Sequence, residues 1–318
     1  MDPASPWKVT QDYLNSLPPS PPISTLTPLH DRLQPIRALQ PTRNTRVMAI
    51  MNLTPDSFSD GGELLSQSIT TLYNRAFGYR HDGATIIDIG GQSTAPGTEQ
   101  VSDSEEISRI IGFLQHLNDR RQLRGKIVIS LDTYRSSVAA AAAEIGIDII
   151  NDISAGQMDP DMLPTMARLG KTVILMHTRG TPEIMNKLTD YPDGLIPTIA
   201  KELLERVAAA EAAGIYRWRI ILDPGIGFAK TSEQNLEILR RFDELRDWPG
   251  LRGLPWLVGS SRKNFIGKIT GAKVVAQRIW GTAATVAAAV QGGADIVRVH
   301  DVKEMAKVAK MSDAIWRV

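Results

Sequence analysis

Eight short apolar runs in this chain each lead into residues that can bind or neutralise charge. Asn52 follows the first, Asp88 closes the second, Asp132 follows the third and Asn151-Asp152 the fourth. His177, Asp223, the stretch from Ser260 to Lys263, and the stretch from Arg298 to His300 follow the other four. One Asp or Asn at such a point is explained by helix capping or a turn. Capping does not select Lys263, Arg298 or His300, so the set as a whole predicts a ligand site. Carboxylates and amides at Asp132, Asn151 and Asp223 match an amidine-like edge of N–H donors, and the three basic residues match phosphate. The expected mouth is acidic and amide-bearing on one side and cationic on the other.

Other chemistries are excluded by the same residues. The chain has no cysteine, which removes thiolate nucleophiles, thiolate zinc sites and disulfide scaffolds. Its five histidines (30, 81, 116, 177 and 300) form no HxH or HxxxH pair that would suggest zinc. No G-x-S-x-G elbow is present, and the loops GGQST (90–94) and GSSRK (259–263) match neither the P-loop nor the dinucleotide pattern. A balance of 36 Lys+Arg against 35 Asp+Glu gives no pull towards nucleic acid or a membrane, and neither partner is expected. No stretch reaches the roughly 18–20 apolar residues that span a bilayer, and MDPASPWKVT does not read as a signal peptide. The cytoplasm is the expected compartment, with the mitochondrion as the alternative if a leader precedes Met1.

The elements that must hold these residues follow from periodicity. The runs are VMAIM (47–51), ATIIDI (84–89), KIVISL (126–131), IDII (147–150), TVILM (172–176), RIIL (219–222), PWLVG (255–259) and DIVRV (295–299). Runs so continuously apolar suit parallel strands covered on both faces. Helical spacing lies between them, as in Ile107/Ile110/Ile111/Leu114 and Leu195/Ile199/Leu203/Leu204/Val207, with Ala-rich helices expected at 134–146 and 273–291. Eight βα units predict an α/β protein, a (β/α)8 TIM barrel, with its chemistry at the C-terminal strand ends. Residues 1–41 hold nine of the 19 prolines and no glycine, and read as a Pro-rich extension or linker ahead of a barrel domain at 42–318. The first loop, NLTPDSFSDGG (52–62), carries Phe58 and reads as a lid.

MAIMNLTPDSFSDGG (48–62) resembles the signature of the dihydropteroate synthase family. DIGGQSTAPG (88–97), SLDTYR (130–135), NDISAG (151–156), LDPGIGF (222–228), GSSRKNFIG (259–267) and RVHDV (298–302) resemble its later blocks in the same order, from about residue 46 to 316. The resemblance implies a transferase of folate biosynthesis that moves an alkyl group other than methyl. It joins 6-hydroxymethyl-7,8-dihydropterin pyrophosphate to p-aminobenzoate with release of pyrophosphate, and sulfonamides inhibit it. It assigns the pterin to Asp132, Asn151, Met176, Asp223, Lys263 and Arg298. Asn52, Arg298 and His300 would bind the diphosphate, with Mg2+ held mainly by that group and Asn52. Thr94, Pro96, Phe228 and Asn264 would receive p-aminobenzoate, with Phe58 and Asp60 closing over it. Asn52, Asp60, Lys263, Arg298 and His300 would form the catalytic set.

The chain departs from the family pattern at Ala95, where an Arg is common, and at Asn264, where bacterial relatives often have Ser. The first loses a cation from the second loop, so altered lid closure or sulfonamide affinity is expected with an intact pterin pocket. The family also implies a homodimer through the last helices, where Trp280 and Trp316 lie, and the leader is similar to the linker in multifunctional fungal folate enzymes. Two alternatives are a pterin-dependent methyltransferase, which needs no diphosphate site, and a non-catalytic pterin-binding barrel.

Overall fold

The computed structural model describes residues 26–29, 34–53, 69–92, 100–120, 123 and 125–318. Eight parallel strands form one sheet: β1 (Arg46–Asn52), β2 (Ile86–Gly90), β3 (Val128–Asp132), β4 (Ile149–Asp152), β5 (Thr172–Met176), β6 (Ile220–Asp223), β7 (Leu257–Val258) and β8 (Ile296–Val299). They lie in the order β6-β5-β4-β3-β2-β1-β8-β7. The two ends meet where Leu222 bridges Trp256 in parallel and donates its N–H to the Pro255 carbonyl at 2.9 Å. The sheet therefore closes into the barrel that the eight runs predict.

Helices cover the outside: α1 (Ile69–His81), α2 (Asp103–Asp119), α3 (Ser136–Ile145), α4 (Met162–Leu169), α5 (Leu195–Ala212), α6 (Ser232–Arg240), α7 (Phe242–Arg246), α8 (Asn264–Thr270), α9 (Ile279–Gly292) and α10 (Val302–Trp316). Local chemistry sets several starts. Ser102 accepts from the Glu105 N–H at 3.2 Å ahead of α2, and Thr231 with Gln234 forms a reciprocal capping box on α6. The Ala-rich helix expected over 273–291 instead begins as a 3-10 turn at Val275–Arg278 and becomes α9 only at Ile279. No helix among the described residues is long and apolar enough to cross a membrane.

Strand alternation divides the side chains into two sets. Val47, Ala49, Ile87, Ile89, Ile129, Leu131, Val173, Leu175, Val297 and Val299 belong to the large core shared with the helices. Met48, Ile86, Val128, Ile149, Ile174, Ile221, Leu257 and Ile296, one from each strand, form a separate inner cluster. Leu29 and Ile36 join that cluster from the leader, where Leu26–Thr27 pairs antiparallel with Ile36–Arg37. Thr172 Oγ1 donates to the Pro28 carbonyl and Arg46 donates to that of Gln34 at 3.2 Å, tying this segment to the strand starts. The lower barrel is thus apolar and closed, and one pleat further along β2, β3, β4, β6 and β8 the inward side chains turn polar.

Candidate active site

Two residues on from the inner apolar cluster, the same face of the strands presents Asp88, Ser130, Asn151, Met176, Asp223 and Arg298, with Asn52 and Asp132 one step nearer the rim. The period of two settles which of neighbouring polar residues serve the interior. Asn151 faces inward and donates to Asp88 Oδ2 at 3.0 Å. Asp152, its neighbour, is taken up by the following turn, accepting from the Ser154 N–H at 2.7 Å and the Gly156 N–H at 2.6 Å. His177 lies one residue past inward-facing Met176 and turns away from the mouth, towards Glu202 on α5.

Arg298 reaches across the interior. Its Nε donates to Asp88 Oδ2 and its Nη2 to Asp132 Oδ2, both at 2.6 Å. The expected division into an acidic and a cationic side is therefore corrected: Arg298 sits among the carboxylates, because its long side chain spans from β8 over β1 to β2 and β3. Burial pushes the Asp132 carboxyl up to about 7 against the pull of Arg298. Arg298 itself is held above its ordinary value by Asp88 and Asp132, which outweigh burial. Asp88 Oδ1 and Ser130 Oγ are buried without a hydrogen-bond partner among the described residues, leaving acceptor capacity below the mouth.

Asp223 accepts the Gly225 N–H on Oδ1 at 2.7 Å, and burial raises its carboxyl above the ordinary value. Lys263, at the N-terminus of α8, donates to the Ile226 carbonyl, and its Nζ lies 4.2 Å from the centre of the Phe228 ring. Burial lowers this amine to about 8, with Asp223 partly opposing. The close crossing needs Gly227 (φ 78°), since a Cβ there would come 2.6 Å from Lys263 Cδ. Phe228 and Met176 meet Tyr134, Ile153 and Met158 in a small apolar cluster, a wall for a flat ring beside the polar floor.

His300 is turned by Ser261, whose Oγ is 3.0 Å from Nδ1 and accepts the His300 N–H at 3.1 Å. Burial, followed by Arg262 and Arg298, lowers the ring to about 3. A neutral ring taking the serine proton on Nδ1 carries its own proton on Nε2 as a donor. Asn264 is exposed at the start of α8, and its Oδ1 accepts from Arg278 at 2.9 Å. Asn52 ends β1 at the rim, half-buried. Phe58, Asp60, Thr94, Ala95 and Pro96 lie outside the described residues.

The described residues contain no group of three His, Asp or Glu that could cage a cation. Asn52 offers a single neutral oxygen at the rim. That donor set fits Mg2+, which retains water and takes further ligands from substrate phosphates, and does not suit a metal needing a complete protein cage. Sequence reading missed three kinds of residue: Asp88 as the anchor of Arg298, Tyr134, Ile153 and Met158 in the wall, and Lys230 behind Phe228. Asp88 was visible as a strand-end carboxylate, and Tyr134 and Ile153 stand inside the SLDTYR and NDISAG blocks without a sign of their role; Met158 and Lys230 had no periodic or motif signal.

A pterin-binding enzyme model matches residues 48–300. The dihydropteroate synthase of Synechocystis sp. is 49% identical over 275 residues, spanning 86% of this chain and 91% of that protein. The chain belongs to the dihydropteroate synthase family of pterin-binding enzymes. It is accordingly a transferase of folate synthesis. The folic acid synthesis protein fol1 of Pneumocystis carinii is 50% identical over 86% of this chain, which spans only 36% of that longer protein. Among solved structures, dihydropteroate synthase from Clostridium difficile, determined with pteroic acid, superimposes at a TM-score of 0.78 with 37% identity, covering 87% of this chain and 98% of that one. The Yersinia pestis enzyme in a sulfonamide complex gives 0.78 at 36% identity, covering 86% and 94%.

Proposed function

We propose that this barrel condenses 6-hydroxymethyl-7,8-dihydropterin pyrophosphate with p-aminobenzoate to give 7,8-dihydropteroate and pyrophosphate. The observation that carries the assignment is the inward polar layer, where Asp223, Asn151 and Asp132 stand with Arg298 and Lys263 next to the Met176–Phe228 wall. The carboxylates accept from the 2-amino group and N3–H of the pterin, and Lys263 donates to its 4-oxo edge. Arg298, already aligned by Asp88 and Asp132, lies along the ring and towards the diphosphate. His300 Nε2–H adds a neutral donor there. Asn52 would hold Mg2+ together with the diphosphate; the ion supplies charge neutralisation to the leaving group.

The C–O bond between the pterin methylene and the diphosphate breaks first, its electron pair leaving with pyrophosphate. The p-aminobenzoate nitrogen then supplies the pair for the new C–N bond and loses a proton to solvent or the released anion. The amine is a free base at neutral pH, so the residues act mainly by orientation and by stabilising charge. Phe228 and the Lys263 stem would stack and seat p-aminobenzoate, with Asn264 near its carboxylate. Thr94 and Pro96 of the second loop, and Phe58 and Asp60 of the first, would complete that subsite and exclude water. Sulfonamides would occupy the p-aminobenzoate position.

Exposed Trp280, Met311, Ile315 and Trp316 on α9 and α10 would form a homodimer face, which sedimentation equilibrium tests. The barrel would be one domain of a multifunctional folate enzyme, as the greater length of the fungal relative suggests. We assign it to the cytosol, with the mitochondrion the alternative that plant relatives named as mitochondrial bring in. Pyrophosphate release from the dihydropterin substrate with Mg2+, with and without p-aminobenzoate, tests the function. Sustained release should require p-aminobenzoate, which captures the pterin cation before pyrophosphate can recombine with it, and should collapse in Lys263→Ala and Asp223→Ala. Binding of the pterin without release would overturn the assignment and leave a non-catalytic barrel.

A further inference from the structure

Behind the loop that follows β6 lies a buried amine with no part in the steps above. Lys230 Nζ donates to the Phe228 carbonyl at 3.0 Å and stands 2.8 Å from His177 Nδ1. His177 Nε2 is 2.8 Å from Glu202 Oε2 on α5, and Arg179 Nε holds Glu202 Oε1 at 3.0 Å. The Glu202 carboxylate only accepts, so the proton of the neutral ring sits on Nε2, facing it, and Nδ1 is left to accept from Lys230. Burial keeps the imidazole neutral, lowering it to about 4, and lowers Lys230 to about 7. Arg179, Glu202, His177 and Lys230 thus form a chain of paired groups that ends on one backbone carbonyl.

That carbonyl belongs to the segment 224–230, which carries much of the chemistry. Asp223 precedes it, the Ile226 carbonyl receives Lys263, and the Phe228 ring lies under the Lys263 ammonium. The segment sits close against β5: at Gly225 (φ 69°) a Cβ would come 1.9 Å from the His177 carbonyl oxygen. Tyr191, whose ring lies 4.0 Å from the Arg179 guanidinium, adds a second tether by donating to the Ala229 carbonyl at 2.9 Å.

We propose that Lys230 is a positioning residue: with His177 it clamps the loop after β6 from behind, and so fixes the Phe228 ring against which p-aminobenzoate is seated. The pterin edge depends less on this clamp, because Asn151, Asp132 and Arg298 stand on other strands. The kinetic consequence rests on the synthase assignment above; the clamp itself does not.

The test is Lys230→Met, which preserves length and removes the donors, read by hydrogen–deuterium exchange and by kinetics. Loss of a hydrogen bond from a charged donor should speed exchange at residues 226–229 by about tenfold or more, with β3 and β4 unchanged. KM for p-aminobenzoate should rise about tenfold while that for the dihydropterin substrate stays within about threefold. His177→Leu removes the clamp's acceptor without touching the lysine and must move the same quantities in the same direction; it decides the matter if Lys230→Met does not fold. Unchanged exchange at 226–229, or exchange and both KM values rising together throughout the barrel, overturns the proposal. If the wild-type protein releases no pyrophosphate, the synthase assignment falls, and exchange alone still decides the clamp.

Discussion

Asp88→Ala tests whether the barrel interior, and not only its loops, sets the geometry for catalysis. Asp88 is fully buried, and its Oδ2 accepts from both Arg298 Nε (2.6 Å) and Asn151 Nδ2 (3.0 Å). Each bond involves a charged group, and such bonds are worth about 1.5–3 kcal/mol apiece. The full sum is not expected in the rate, because Asp132 still holds Arg298 through Nη2. A loss of about 2–3 kcal/mol of transition-state stabilisation remains, or about 30- to 150-fold in kcat/KM for the dihydropterin substrate. Pyrophosphate release at saturating p-aminobenzoate measures it, below the melting temperature of the variant. Asp88→Asn is the control. Its amide oxygen can occupy the Oδ2 position and accept both bonds, so it should stay within about tenfold of wild type. An alanine variant within about threefold of wild type would refute the anchoring role. An asparagine variant as damaged as the alanine would show that charge matters and placement does not.

Phe228→Ala should raise KM for p-aminobenzoate about tenfold or more and leave KM for the dihydropterin within about threefold, because the ring faces the Lys263 amine and leaves the carboxylate edge untouched. Equal changes in both KM values would place the ring elsewhere. Lys263, lowered to about 8, is a cationic donor only while protonated and a weaker neutral one above that, so kcat/KM for the dihydropterin substrate should fall as pH rises through 8. Lys263→Arg should push that limb upward, and an unmoved limb assigns it to another group. His177 is held neutral in the folded state, lowered to about 4 from an ordinary 6.5, so the unfolded chain takes up its proton first on acidification. The associated stability is full above pH 6.5 and declines as pH falls towards 4, by about 2 kcal/mol at pH 5. Asp132, raised to about 7, works in the opposite sense over the same range, so the measurement is the difference in melting temperature between wild type and His177→Gln at pH 7.5 and pH 5. A difference independent of pH would contradict the buried neutral imidazole.

Strand ends were legible in the sequence because apolar β-branched runs and the polar residues that end them are both local signals. The barrel followed from their number, and its closure at Leu222 and Trp256 bears that out. What each polar residue does depended on a further step that the sequence permits but does not force. Counting by twos from the inner apolar cluster sends Asn151 and Asp223 inward, and sends Asp152 and His177 out of the mouth. Longer-range features carried no such signal. Nothing near Arg298 in the sequence indicates that it would pair with Asp88, 210 residues away, and nothing near Lys230 indicates His177, 53 residues away. Composition set the Pro-rich leader apart without revealing that Leu29 and Ile36 pack beneath the barrel. Apolar residues scattered among prolines have no period to read.

Burying this much charge is tolerable because each charged group already has a partner before any substrate arrives. Arg298 is paired with Asp88 and Asp132, while Lys263 and Lys230 donate to the Ile226 and Phe228 carbonyls and Asp223 accepts the Gly225 N–H. An unpaired member would cost several kcal/mol, while a paired set acts as a rigid template already oriented for its ligand. The incoming pterin brings N–H donors to carboxylates that already face inward, so little reorganisation accompanies binding. The apolar cluster below, sealed by Leu29 and Ile36, has the complementary task of holding the strands in register while the layer above carries charge. Separating these tasks by one pleat along most of the strands has a measurable consequence. Ile149→Val, in the lower cluster, should cost about 0.5–1.5 kcal/mol of stability with kcat/KM unchanged, whereas Asn151→Ala, two residues on, should do its greater damage to kcat/KM. Calorimetry and steady-state kinetics on the pair would separate the two layers, and comparable losses of activity in both variants would show that the layers are not independent.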